Sequence, residues 1–122
     1  SGYVYTRGSL LDRIIFSGTS EISWLTTLVG KPLFYGMCMA ARKNAFEKVH
    51  GFDESHETAE DINFTEKLGK IGKCILVRKA KAFTNPRRTK KMGALYSVFY
   101  HITNFLRYKL FGEGRRGYPV VR

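Results

Sequence analysis

A chain of 122 residues has room for one domain at most. Hydrophobic residues make up 43% of it and aromatic residues 14%, a composition that excludes an intrinsically disordered protein. No apolar run is long enough to span a bilayer and residues 1–3 do not begin a signal-peptide pattern, so we expect neither a membrane span nor a leader.

The formal net charge of +11 is unevenly distributed along the chain. Residues 1–61 contain six Lys/Arg and eight Asp/Glu, a net charge of −2, whereas residues 62–122 contain fifteen Lys/Arg and two Asp/Glu, a net charge of +13. The basic second half indicates a polyanionic neighbour, which is a nucleic acid, an anionic membrane surface or a phosphorylated substrate. A solvated basic face is the alternative.

The first third of the chain is predicted to be helical up to a buried strand. Residues 1–8 are predicted as an extended or loose segment, followed by short helices over 9–16 and 21–29 that are separated by the breaker Ser17-Gly18-Thr19-Ser20. Residues 32–41 form a near-continuous apolar run, which predicts a strand buried on both faces, with Gly36 marking a close approach of backbone or ligand.

The remaining elements alternate between helices and one further strand. They are a helix over 42–50, a polar loop over 53–59, a helix over 60–71 capped by Gly72, a strand from Cys74 to Arg78 with its continuation toward Phe83 left open, a basic connector over 84–91, a helix over 93–111 and a loose tail over 112–122. Two apolar strands need neighbours on both sides. We therefore expect the second half of a larger α/β domain, with few strands and flanking helices.

The cysteines and histidines give weaker signals. Cys38 and Cys74 match no metal or redox spacing and are interpreted as reduced core thiols, which favours a reducing, cytoplasmic compartment. A metal site can be considered in the cluster His50, Asp53, Glu54, His56 and Glu57, but its spacing matches neither a zinc signature nor a calcium loop. A surface cluster is the favoured interpretation.

Glu60 and Asp61 place two adjacent carboxylates at the start of the clearest helix. The helix dipole and the free backbone N–H groups of a first turn stabilise a negative charge there, and a general base must be ionised. Asp61 is therefore a candidate base, with Glu60 positioned to orient it or to contact a substrate. The competing interpretation is a capping pair of Thr58 with Asp61.

Five segments occur in an order that resembles the C-terminal half of family 2 glycosyltransferases of the GT-A fold. They are Gly36-Met37-Cys38-Met39-Ala40-Ala41-Arg42-Lys43-Asn44-Ala45-Phe46, His50-Gly51-Phe52-Asp53-Glu54, Glu60-Asp61-Ile62-Asn63-Phe64, Leu68-Gly69-Lys70-Ile71-Gly72 and Pro86-Arg87-Arg88. The resemblance covers roughly residues 32–92. It implies a partial GT-A, Rossmann-like α/β domain that lacks its nucleotide-binding half.

The resemblance also implies roles for individual residues. Asp61 would deprotonate the acceptor hydroxyl in an inverting transfer from a nucleotide sugar, and Glu60 would support it or bind the acceptor. Gly36 and Met37 would let the sugar approach closely. Two arginines, Arg87 and Arg88, would grip a diphosphate or a lipid phosphate; an ordinary basic loop is their alternative.

The sequence departs from the family pattern at three places. His50 stands where the family usually has the first of two glycines, and Thr84-Asn85 stand where the family often has a metal-binding histidine. No Asp-x-Asp pair precedes residue 32. The resemblance implies a divalent metal, Mg or Mn, in the full-length enzyme, with ligands mostly outside this chain and none assigned within it. We expect the isolated chain to be inactive.

The predicted organisation is one partial domain. Its parts are a helical lead-in over 1–31, an acceptor-side core over 32–92, an amphipathic helix over 93–111 and a tail over 112–122. The expected partners are a nucleotide-sugar donor and a hydroxyl acceptor that is lipid- or polysaccharide-linked, with an anionic membrane surface and a second copy covering the sheet as further candidates. The alternative from another class is a small basic module that binds nucleic acid or an anionic membrane without catalysis. Nucleic acid is the less favoured partner, because the aromatic residues of the last helix are explained better by core packing.

Overall fold

The computed structural model describes residues 1–117 and has a mixed α/β fold. Its elements in chain order are β1 (Gly2–Thr6), α1 (Leu10–Leu28), a 3-10 turn (Gly36–Cys38), α2 (Lys43–Lys48), α3 (Glu60–Ile71), β2 (Val77–Thr84), α4 (Arg87–Met92) and α5 (Ala94–Phe111). No helix within these residues has the length and apolar character needed to cross a membrane. The predicted α/β class is confirmed, as are the helix over 60–71 and, within one residue, the helix over 93–111.

The sheet consists of β1 and β2, which pair in parallel. Thr6 lies opposite Thr84, and the Thr6 hydroxyl donates to the Thr84 carbonyl oxygen over 2.9 Å. The segment over 1–8, predicted as extended or loose, contains the strand β1, and the second predicted strand begins at Val77 instead of Cys74. β1 is mostly buried, since α1 packs against it, whereas β2 is mostly exposed.

Helix α1 runs without interruption through the predicted breaker at 17–20. The helix can continue here because the hydroxyls of Thr19 and Ser20 donate hydrogen bonds to the Phe16 carbonyl oxygen of the same helix, over 2.9 and 3.1 Å. Ser20 also accepts from the Val4 N–H at 3.0 Å, which joins the helix to β1. Tertiary contact with the strand thus overrides the low helix propensity of the segment.

The apolar run 32–41 is not the predicted strand buried on both faces. It is extended chain with a 3-10 turn at Gly36–Cys38, and only Pro32 and Phe34 are buried. α3 covers one side of this segment, since a Cβ placed on Gly69 would lie 2.9 Å from Pro32 Cγ. Because the backbone N–H of Gly36 is bonded to a side chain of α3, it is not available to a sheet.

Helix α3 supplies the largest buried side chains. Phe64 is 2% exposed, and its ring lies against Phe52 and Phe46 with centroid separations of 4.4 and 5.5 Å. On the roughly opposite face of the helix, Ile62 packs with Ala59 and Tyr108 in a second apolar cluster that joins α3 to α5. The core is therefore built around this helix.

The last two helices differ from the sequence prediction in opposite ways. The basic connector contains the short helix α4, with the Thr89 hydroxyl bonded to the Pro86 carbonyl oxygen at 2.9 Å. In α5 the buried face is polar, and most of the large apolar residues are exposed. The prediction that core packing accounts for the aromatics of this helix is wrong for Tyr96 and Phe99 but holds for Tyr100 and Tyr108.

Both cysteines are free thiols and half-buried. Burial raises the pKa of the Cys74 thiol. The expected reduced state agrees with the structure, although neither thiol lies in the deep core.

The turn after α2 contains two consecutive residues with left-handed backbone, His50 at φ 59° and Gly51 at φ 63°. A side chain at such a position costs about 1–2 kcal/mol, so His50 carries backbone strain that a glycine there would not. His50 is exposed, so its side chain contributes little packing.

We expect His50→Gly to raise the free energy of unfolding by about 0.5–1 kcal/mol, because the relief of backbone strain exceeds the extra entropy of the unfolded chain. Urea denaturation of the two proteins measures the difference. His50→Ala keeps the Cβ atom and is the matched control, for which no gain is expected. A His50→Gly protein less stable than the parent would contradict this account of the turn.

Candidate active site

The Asp61 carboxylate connects the start of α3 to the Gly36 turn. Its Oδ2 accepts the backbone N–H of Gly36 at 2.8 Å, and its Oδ1 accepts the N–H of Ile62 at 2.8 Å. A Cβ placed on Gly36 would lie 3.6 Å from the Asp61 Cβ. The structure thus brings together two residues that the sequence singled out from segments 25 positions apart.

Asp61 retains capacity for a ligand. A carboxylate offers about four lone-pair sites, and two N–H donors occupy about half of them. The side chain is half-buried, and Gly36 is exposed beside it. The two hydrogen bonds fix the carboxylate while leaving acceptor sites for a hydroxyl group.

Two residues that the sequence analysis missed, Tyr35 and His101, lie in the field of Asp61. Burial raises the pKa of the Tyr35 phenol, and the Asp61 charge raises it further. Desolvation and the Arg88 guanidinium lower the pKa of His101, and the Asp61 carboxylate opposes them. The carboxylate and one of the two predicted arginines therefore act on the same imidazole.

The signal for His101 was present in the sequence. Polar residues recur along α5 at helical spacings, and they are Ser97, Tyr100, His101, Asn104 and Tyr108. All of these except His101 are buried against the rest of the protein. A polar stripe in an otherwise apolar helix thus marks the face turned toward the rest of the protein.

The other predicted site residues are less well gathered. Glu60 is exposed, and among residues 1–117 its side chain has no hydrogen bond or ion pair, so it does not orient Asp61. Met37 is exposed in the 3-10 turn next to Gly36. Arg87 is exposed and Arg88 half-buried at the start of α4. The structure therefore brings Asp61 to Gly36, and Met37 adjoins Gly36 in the 3-10 turn.

The predicted capping pair of Thr58 with Asp61 is wrong. α3 has no side-chain cap, and the residue before it, Ala59, has left-handed backbone at φ 65°. The Thr58 hydroxyl instead lies 2.7 Å from the carbonyl oxygen of Arg115. Asp61 therefore does not form a capping pair with Thr58, and its Oδ1 accepts the N–H of the next residue in its own helix.

The acidic loop before α3 is tied down. Ser55 donates its backbone N–H and its hydroxyl to Asp53 Oδ1 at 3.1 and 2.6 Å, and these bonds lower the pKa of Asp53. Glu57 Oε2 accepts the Gly117 N–H at 2.7 Å. Hydrogen bonds therefore order the loop both within itself and against the segment after α5.

A shallow groove of about 390 Å³ opens on the other side of Gly36. Its apolar floor includes Phe46, Phe52 and Phe64, and Lys43 lies at its edge. Asp61 does not line this groove, but Gly36 forms a boundary common to both. A ligand in the groove that reaches over Gly36 would meet the carboxylate.

Within residues 1–117 no group of three or more His, Cys, Asp or Glu side chains is arranged to hold a metal ion. Asp53, from the cluster considered as a metal site, instead faces His56 at 3.9 Å and Lys67 at 3.8 Å. Comparison of the chain with protein-family models, with curated proteins and with solved structures found no match.

Proposed function

We propose that this chain is the acceptor side of an inverting glycosyltransferase of GT-A architecture, with Asp61 as the general base. The observation that supports the proposal most directly is the bond between Asp61 Oδ2 and the Gly36 N–H. It unites a carboxylate at a helix start with an exposed glycine turn, and these are the two features to which the family resemblance gives chemical roles.

The reaction assigns one proton and one electron pair. An acceptor hydroxyl bound beside Gly36 gives its proton to a free lone pair of Asp61 as its oxygen bonds to the anomeric carbon of the donor. The bond between that carbon and the phosphate oxygen breaks, and the nucleoside diphosphate leaves with the electron pair. Attack from the side opposite the leaving group inverts the anomeric configuration.

The surrounding residues position the reactants. The backbone bonds to Asp61 hold the base in one orientation, which reduces the entropic cost of reaching a reactive geometry. Arg88 carries a guanidinium, a group that suits the oxygens of a diphosphate or lipid phosphate, and we assign it that role. A divalent metal, if the full-length enzyme uses one, would neutralise charge on the leaving diphosphate.

The test is sugar transfer by the full-length protein that contains this chain. We expect release of nucleoside diphosphate from one of a panel of nucleotide sugars to depend on an added hydroxyl acceptor. The product should carry the anomeric configuration opposite to the donor, as read by NMR of the anomeric proton. Retention of configuration, or no release with any donor in the panel, would contradict the proposal.

A further inference from the structure

Helix α5 presents an apolar stripe to solvent. Leu95, Phe99, Ile102, Leu106 and Leu110 recur at spacings of three and four residues and therefore share one face. All five are exposed, Leu95 by 77% and Leu110 by 75%. A contiguous apolar face of this length on the surface marks an interaction site.

Positive charge accompanies this stripe. Residues 67–112 contain twelve Lys/Arg and no Asp or Glu. At about 100° per residue, Arg107 and Lys109 fall at the two edges of the apolar face. Lys109 is paired with Glu66, whereas Arg107 has no ion pair among the described residues and extends beside the Phe111 ring at 5.9 Å. Lys90 and Lys91, both exposed, lie in the helix immediately before.

The partner that satisfies both features is an anionic lipid surface. An amphipathic helix inserts its apolar face among acyl chains, and cations at its edges reach the phosphate headgroups. A nucleic acid would neutralise the cations and leave the leucines and Phe99 in water. We propose that α5 lies in the interface of an anionic membrane, with its apolar stripe inserted and Lys90, Lys91 and Arg107 at headgroup level.

Helix α1 provides the contrast. It also exposes apolar residues, among them Leu25 and Leu28, but the helix contains Asp12, Arg13 and Glu21 and has a net charge of −1. An anionic surface has no charge complement there. The proposal therefore assigns α5 and not α1 to the membrane, and it does not depend on glycosyl transfer.

The experiment is co-sedimentation of the purified full-length protein that contains this chain with vesicles, without any nucleotide sugar. Phosphatidylcholine vesicles containing phosphatidylserine should bind the chain, and pure phosphatidylcholine vesicles should bind it at least about tenfold more weakly. Added salt should weaken the binding, because headgroup attraction is screened within about 10 Å at 0.1 M.

Three double variants locate the surface. Phe99→Gln with Leu106→Gln should weaken binding about tenfold or more, because two inserted side chains are lost. Lys91→Gln with Arg107→Gln should weaken binding to anionic vesicles about 25-fold, at about fivefold per cation. Leu25→Gln with Leu28→Gln makes the same apolar-to-amide change on α1 and should bind like the parent. Circular dichroism checks the fold of each, and the cation variant changes only exposed side chains with no ion pair in residues 1–117.

Several results would overturn the proposal. They are equal binding to neutral and anionic vesicles, no binding to either, loss of binding in the α1 variant but not in the α5 variant, and tighter binding to RNA than to vesicles. Sugar transfer with no vesicle binding would contradict the membrane inference and leave the proposed function intact. Vesicle binding with no sugar transfer would support the membrane inference and contradict the proposed function.

Discussion

Asp61→Asn should reduce sugar transfer by the full-length enzyme at least about 100-fold, because removal of a positioned general base costs about two to four orders of magnitude. Asparagine keeps the shape of the side chain but cannot take a proton from the acceptor. The affinity for the nucleotide-sugar donor should change little, since no donor contact is removed. Initial rates and equilibrium donor binding are the two measurements.

The Asp61 variant also has a structural cost that can be separated from the chemical one. Asparagine has one acceptor oxygen, so either the Gly36 or the Ile62 N–H loses its partner, at about 1 kcal/mol. Thermal unfolding of the variant measures that loss. Asp53→Asn is a matched control, because its carboxylate serves a turn with Ser55, and it should retain activity within a few-fold. An Asp61→Asn enzyme as active as this control would end the assignment of Asp61 as base.

Phe64→Ala should lower the free energy of unfolding by about 3–5 kcal/mol, the largest stability effect we expect in this chain. Phe64 is 2% exposed and its ring is enclosed by Phe46 and Phe52, so truncation leaves a cavity that these rings cannot fill without moving. A domain of this size has only about 5–15 kcal/mol of stability in total. Denaturant titration followed by circular dichroism gives the difference.

Two further variants serve as controls for this substitution. Phe64→Leu keeps most of the volume and should cost no more than about 1.5 kcal/mol. Phe52→Ala removes a ring from the same cluster. Because Phe52 is exposed, this variant should lose less free energy of unfolding than Phe64→Ala. Equal losses at the two positions would show that the cluster is not centred on Phe64.

The helices could be predicted from the sequence where periodicity and end signals agreed. α3 was predicted with its observed bounds, because an apolar face and a glycine after Ile71 define it. α1 was divided wrongly, since the hydroxyls of Thr19 and Ser20, which signal a break, bond within the helix and to β1. Sequence spacing alone does not reveal that second partner.

The site was predicted in part for a similar reason. Asp61 and Gly36 could be singled out by residue type and order, and the structure joins them. The surrounding run was predicted as a strand because apolar composition cannot distinguish a chain paired in a sheet from an extended chain under a helix. The inward face of α5 was also predicted wrongly, because its apolar stripe was assumed to face inward, whereas the polar stripe with Ser97, Asn104 and Tyr108 does.

The pairing of Thr6 with Thr84 spans 78 positions and has a consequence for biosynthesis. A parallel ladder between such distant segments cannot begin until the later one has left the ribosome, so β1 remains unpaired while the residues between the two strands are synthesised. Chains dominated by such remote pairings also reach the native state slowly. Before β2 is synthesised, α1 is the element that can pack against β1 and keep it from water.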